Sequence, residues 1–312
     1  MINRRDLFKY FTLLGAGVAA LPLVKVFSPD VVAEIVHPAK RGKDGFTLWQ
    51  IPLLQTQLQG NSYVFRTKTG KIVVMDGGVQ QEAGYLRGFL GALGNEIEAW
   101  FISHPHFDHI GALNEILKKP DGLTIKAIYH SQFSPEFYEK VELGYRDLTA
   151  EFYGNLKTSG IRVIDVTKPG MVIEIDGTAF KILAVKDESV TSNAYNNSSM
   201  IIRVEDAMRS IVFLADAGIE EGNRLLKGEF SSELNCDFLQ MAHHGQKGVS
   251  LDFYRAIKFH ACLWPTPKWL YDNDAGKGYN TATWETVIVR NLMNELGIKK
   301  HFISWQGLCI VA

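Results

Sequence analysis

Within six residues, His104-Pro105-His106-Phe107-Asp108-His109 offers three imidazoles and one carboxylate. On a turn leaving a strand, side chains two apart point into one pocket. His104 and His106 can therefore share a site while Asp108 and His109 reach a neighbouring one. Imidazole and carboxylate donors suit Zn2+ at about 2.0–2.2 Å, and the same donors accept Mn2+ or Fe2+. One or two ions are expected. Bound divalent ions bring the pKa of water down towards about 7, so the chemistry expected is hydrolysis, with Asp108 both ligand and catalytic group. The competing reading is a polar surface turn that happens to be rich in histidine. No G-x-G-x-x-G, P-loop or G-x-S-x-G sequence offers another chemistry. Cys236, Cys262 and Cys309 form no C-x-x-C pair, so neither a zinc ribbon nor a redox motif is indicated.

The elements that must position this run alternate from Phe46 onward. Strands are expected at 46–51, 62–67 and 71–76, the last closed by Gly77-Gly78. A helix follows over 81–93, with Leu86, Phe89, Leu90 and Leu93 on one face. The strand 97–102 delivers the histidine run at its C-terminal end. Gly111 to Lys119 reads as a helix stopped by Pro120, then comes a strand over 125–129. Pro135 to Leu156 reads as one long amphipathic helix. A second group of strands follows at 162–166, 171–175, 179–185, 200–204 and 211–214, with a short helix at 220–226. The strand 238–242 ends at His243-His244-Gly245. A helix at 282–296 and a strand at 300–304 close the chain. Two successive β-then-α halves predict two facing mixed sheets with helices outside, an αββα sandwich. With no internal linker, residues 45–312 read as one hydrolase domain.

His104, His106, Asp108 and His109 match, residue for residue, the signature of the metallo-β-lactamase superfamily, whose αββα sandwich agrees with the segment order. The resemblance covers roughly residues 45–310. It implies that Asp216, ending the strand Ile211-Val212-Phe213-Leu214-Ala215-Asp216, bridges the two metal sites, and that His244, directly before Gly245, is the last ligand. Asp76 stands where the family often has an acid that orients the histidines, although it could equally be a turn former. Most members supply a further histidine before the bridging aspartate. Here His130 comes too early, and Ser192-Asn193-Ala194-Tyr195-Asn196-Asn197-Ser198-Ser199 occupies the expected place. Asn-Asn-Ser-Ser before a strand, then Asp, then His-His-Gly resembles the branch that includes late-competence DNA-uptake hydrolase domains and bacterial surface phosphorylcholine esterases. Gln246 departs from that branch, which usually has serine there. The resemblance implies one full site (Asp108, His109, Asp216, His244) and a weaker one (His104, His106, Asp216), with Asn196 or Asn197 as an oxygen donor. His243, left without a ligand role, could donate a proton to a leaving group or hydrogen-bond a phosphoryl oxygen. A packing histidine is the other reading. Trp264 to Tyr271 forms an aromatic, proline-rich stretch that could wall a substrate or simply pack as a loop.

The implied function is a metal-dependent phosphoesterase of the phosphodiester class. Alternatives are hydrolysis of a lactone, thioester or β-lactam, or a non-catalytic metal-binding sensor of the same fold. The missing middle histidine, and aspartate rather than cysteine at position 216, count against a true β-lactamase. An apolar share of 46% and a charged share of 21% predict an ordinary globular core. The net charge of -1 provides no global field for nucleic acid or anionic membranes, so nucleic acid is not expected as a partner. The first residues look exported. Arg4-Arg5 followed by Leu7-Phe8-Lys9 resembles a twin-arginine signal, and the apolar stretch from Phe11 to Val24 is too short for a comfortable span. Residues 1–30 are read as a signal segment for the twin-arginine export machinery, with no stable membrane span beyond it. Removal of residues 1–26 would leave a mildly acidic protein placed in the periplasm or at the extracytoplasmic surface.

Overall fold

The computed structural model describes residues 45–311; the twin-arginine-type segment lies outside the described residues. Strands β1 (Thr47–Gln50), β2 (Ser62–Arg66), β3 (Ile72–Asp76), β4 (Glu96–Phe101), β5 (Thr124–Ile125), β6 (Ala127–His130) and β7 (Arg162–Asp165) belong to the first sheet. The second holds β8 (Val172–Ile175), β9 (Thr178–Ala184), β10 (Ile201–Glu205), β11 (Ser210–Phe213), β12 (Phe238–Gln240), β13 (Ala261–Trp264) and β14 (Lys300–Ile303). A last strand, β15 (Cys309–Ile310), crosses back to pair with β1 and completes the first sheet in the order β15-β1-β2-β3-β4-β6-β7, with β5 beside β4. The second runs β14-β13-β12-β11-β10-β9-β8. Both are mixed. The first is parallel from β3 to β7 and antiparallel across β1 to β3; the second is parallel from β11 to β14 and antiparallel across β8 to β11.

Side-chain alternation turns these sheets into four layers. Tyr63, Phe65, Val73 and Met75 point inward and meet Phe180, Ile202, Val204, Ile211 and Phe213 of the facing sheet. Their alternates Val64, Ile72 and Val74 point outward. They pack on α1 (Ala83–Ala92), α2 (Phe107–Lys118) and α4 (Arg146–Thr158) through Leu86, Leu90, Ile110, Leu113 and Phe152. On the opposite outer face, Val212, Leu239 and Cys262 meet Leu225 of α5 (Ile219–Lys227), Phe253 of α6 (Leu251–Ala256) and, beyond the short α7 (Lys268–Tyr271), Leu292 of α8 (Thr286–Glu295). Burial of both faces of each sheet is the αββα sandwich.

Three helix boundaries depart from expectation. Helix α2 begins at Phe107, inside the histidine run. His106 holds extended backbone (φ −76, ψ 152) and the next residue turns helical, so Asp108 and His109 ride on a first turn. The expected long helix from Pro135 to Leu156 is broken into α3 (Pro135–Tyr138), a 3-10 turn at Leu143–Tyr145 and α4, with Glu142 in left-handed backbone (φ 42, ψ 53) between them. Helix α8 starts at Thr286 because Glu285 is left-handed (φ 68). Cys236, Cys262 and Cys309 are free thiols. Among the described residues no helix is long and apolar enough to cross a membrane.

Candidate metal centre

The residues that converge do so from the C-terminal ends of neighbouring strands. β3 ends at Asp76, and β4 runs into Ser103, His104 and His106 before α2 presents Asp108 and His109. β11 ends just before Asp216, and β12 just before His243 and His244. These exits are tight. Asp76, Ala215, His243 and His244 all have positive φ, as do few non-glycine residues. Gly245 continues the left-handed run (φ 79), and a Cβ there would strike the Trp264 ring. Strained backbone of this kind persists where surrounding packing imposes it, and it clusters at functional sites.

Two groups of donor atoms result, each lying within 4.8 Å of one another: Asp108, His109, Asp216 and His244, and His104, His106 and Asp216. His244 Nε2 is 3.1 Å from Asp108 Oδ2 and 3.3 Å from Asp216 Oδ2, while His109 Nε2 is 3.2 Å from Asp216 Oδ1. His104 Nε2 and His106 Nδ1 are 3.0 Å apart. All six residues are buried. Yet Asp108 Oδ2, His109 Nε2, Asp216 Oδ1 and His244 Nε2 have no partner in hydrogen-bond geometry. Buried polar atoms are rarely left so.

The opposite edge of each ring is tied down. His109 Nδ1 lies 2.8 Å from Asp76 Oδ2, His244 Nδ1 donates to the Pro265 carbonyl at 2.7 Å, and His106 Nε2 lies 2.7 Å from Glu142 Oε2. His104 Nδ1 lies 3.1 Å from Ser103 Oγ and 3.4 Å from Ser199 Oγ. Such outer partners fix each ring's orientation and turn the other nitrogen towards the cluster. Asp76 also accepts from Asn61 Nδ2, Ser103 N and Ser103 Oγ at 2.7, 2.8 and 2.8 Å, which gives it the orienting role.

The charges agree with the geometry. Burial alone would lower His244, but the Asp216 and Asp108 carboxylates raise it to about 10. His109 is likewise raised against burial, by Asp216 and Asp76. Burial would raise Asp108 and Asp216, and the facing imidazoles hold both carboxyls low. A field that binds an extra proton among buried rings also favours a divalent cation. Inward-facing ring nitrogens, orphaned carboxylate oxygens and this field together fit one or two divalent ions, held by the residues of these two groups.

The asparagines separate clearly. Asn197 is committed elsewhere: Nδ2 donates to the Ser192 carbonyl and Glu220, and Oδ1 accepts from Glu221 N. Asn196 is buried with Oδ1 unpartnered, so it is the one of the pair with a free oxygen. His243 falls in neither ligand group. Its Nδ1 lies 2.8 Å from the Lys247 carbonyl, which can only accept, so Nδ1 carries the proton. Its Nε2 lies 3.4 Å from Asn196 Nδ2 and 3.9 Å from Asp216 Oδ2. A neutral ring held this way accepts at Nε2. Burial favours that neutral form, outweighing the pull of Asp216. His130 is buried outside both groups, its ring edge-on to that of Phe152. Trp264 is core rather than a substrate wall, and the Trp269 and Trp284 rings pack edge to face. Ser103, Glu142 and the Pro265 carbonyl were not anticipated. A backbone oxygen has no sequence signature, and Glu142 lay within a segment read as continuous helix.

Comparison with known proteins agrees with this architecture. A sequence model of the metallo-beta-lactamase superfamily matches residues 55–258. Among solved structures, the chain is similar to the metallo-beta-lactamase fold protein YhfI from Bacillus subtilis, with 14% identity, 83% of this chain and 96% of that one covered, and a TM-score of 0.50. It is similar also to a mutant form of the CmlA beta-hydroxylase, with 11% identity, 96% of this chain and 61% of that one covered, and a TM-score of 0.52. At these identities the likeness is one of fold. No curated protein matches in sequence. The matched stretch spans more than half of the chain and contains every residue of both ligand groups, and on that ground the chain belongs to the metallo-beta-lactamase superfamily.

Proposed function

We infer that this protein is an exported metal-dependent hydrolase that cleaves phosphodiesters. The observation that carries the reading is the placement of Asp216, whose Oδ1 faces His109 and whose Oδ2 faces His244 while the same residue completes the His104–His106 group. One carboxylate common to two adjacent ligand sets suits a pair of ions that together stabilise the attacking and leaving oxygens of a displacement at phosphorus, a use that such pairs share with carbonyl hydrolysis. The sequence adds Asn196-Asn197-Ser198-Ser199 and His243-His244-Gly245, which resemble the phosphoesterase-containing branch. The fold by itself does not select a reaction, and the likeness to a hydroxylase extends only to the fold.

Zn2+ is the ion the donor set suits best, with Mn2+ or Fe2+ as substitutes. When bound, such ions supply Lewis acidity that polarises a phosphoryl oxygen and makes water acidic enough to attack near neutral pH. The chain's own part is positional and acid–base. Asp108 Oδ2, buried without a hydrogen bond, is placed to orient the attacking water. His243 Nε2, at the edge of the cluster, is placed to accept a proton and return it to the leaving oxygen. Asn196 Oδ1 would offer the His104–His106–Asp216 group a neutral oxygen as its fourth donor. Export rests on Arg4-Arg5 and the apolar stretch behind them.

The test is hydrolysis of bis(p-nitrophenyl) phosphate by the full chain reconstituted with Zn2+ or Mn2+, beside His244→Ala. Turnover abolished by both a chelator and the substitution supports a metal phosphodiesterase. A metal-loaded protein that leaves the diester intact but opens a lactone or thioester would overturn the substrate assignment.

A further inference from the structure

The break between α3 and α4 places one charged side chain where the continuous helix would have carried it elsewhere. Glu142 sits in left-handed backbone, which a non-glycine residue adopts at a cost. Both of its carboxylate oxygens are engaged: Oε2 with His106 Nε2 at 2.7 Å, and Oε1 accepting from Tyr195 N at 2.8 Å. The Tyr145 and Tyr195 rings flank His106 at 4.3 and 5.2 Å between centroids. One carboxylate thus ties the His106 ring to the 192–199 segment, which stands where a third imidazole would be expected.

We propose that Glu142 is the positioning residue of the His104–His106 metal site. By holding Nε2–H of His106, it turns the bare Nδ1 towards His104 Nε2, 3.0 Å away. An anionic partner behind a ligating imidazole raises its basicity as a donor. That compensates a site with two imidazoles and a shared carboxylate in place of three imidazoles. Glutamate is required, not merely a polar side chain. His106 Nε2 and Tyr195 N both present hydrogens, and a carboxylate accepts from both whereas an amide offers one oxygen and must turn its NH2 towards a donor. The inference rests on the two-ion reading of the centre but not on the identity of the substrate.

The experiment titrates the full chain with Co2+ alone. It follows the d–d absorption during uptake and during removal by a competing chelator. Wild type is compared with Glu142→Gln, Glu142→Ala and, as a control on the same excursion, Glu139→Gln. Wild type and the Glu139 variant should take up two ions. Both Glu142 variants should bind the ion of the His104–His106 site about 10–100-fold more weakly, with the ion of the Asp108–His109–His244 site unchanged. In chelated protein, ring-nitrogen NMR should show His106 losing its single tautomer in both. The near-isosteric glutamine keeps the test meaningful if the alanine variant folds poorly. Unchanged release of both ions, or equal weakening at both sites, would overturn the positioning role alone. A wild type that binds a single ion would overturn the two-ion reading with it, whatever the substrate assays show.

Discussion

His243 and His244 are adjacent and chemically identical, yet their surroundings assign them opposite tasks. Both rings donate Nδ1–H to a backbone carbonyl, but His244 is fully buried against two carboxylates whereas His243 sits at the edge, with a side chain 20% exposed. A residue outside both ligand groups can be removed without loss of metal. His243→Ala should therefore keep the wild-type metal content, measured by elemental analysis, while kcat on a turned-over diester falls about 10²–10⁴-fold. Loss of metal in that variant would make His243 a ligand and end its assignment as a proton carrier. Sequence alone could pick out His104, His106, Asp108 and His109, because their chemistry is concentrated in six residues. Asp216 and His244 needed a family pattern, since a single Asp or His at a strand end is ordinarily a cap or a surface group. The choice between Asn196 and Asn197 was beyond sequence: it depends on Glu221 N and Glu220 having claimed one amide and not the other.

At the scale of elements, the strands were legible as short apolar runs, because both faces of each sheet are buried and successive residues such as Val73, Val74 and Met75 must all be apolar. The helices were legible only as apolar spacing. Ile110, Leu113 and Ile116 predicted α2, but nothing in that spacing said that the helix starts at Phe107 or that Glu142 interrupts the next one. Those boundaries are decided by contacts distant in sequence. Gly111 shows how closely an element must approach. Helix α2 lies so near the loop after β3 that a Cβ on Gly111 would run into the backbone of Val79 and Gln80, while Gly77 N donates to the His109 carbonyl at 2.7 Å. Backbone cannot retreat as a flexible side chain can. Gly111→Ala should push the first turn of α2 outward, cost about 1–3 kcal/mol of stability, and weaken binding of the ion that Asp108 and His109 share. Denaturant melts and metal competition on the same sample would show both losses together. A stable variant with normal metal affinity would mean that α2 has more room than this packing allows.

For the whole molecule, the centre is a concentration of buried charge between two sheets, and folding pays for it differently with pH. In protein stripped by a chelator, His244 is held up to about 10 against an ordinary value near 6.5. A raised folded-state pKa contributes stability that is complete below about pH 6.5 and is lost as pH climbs towards about 10. Asp108 and Asp216 are shifted the other way, so their share persists above the ordinary carboxylate range and fails only in acid. Between pH 7 and 9.5 the stripped protein should therefore lose stability by up to about 1.4 kcal/mol per pH unit for each raised ring. That corresponds to roughly 2–4 °C in Tm per kcal/mol for a chain of this size. Metal loading should reverse the trend, because a divalent ion replaces the protons and binds more tightly as they leave. Thermal melts of chelated and Zn2+-loaded protein across that range should diverge with rising pH, the stripped form falling while the loaded form holds. Parallel curves would mean that the carboxylates do not hold protons on these rings, and that the buried field inferred for the centre is not there to hold an ion.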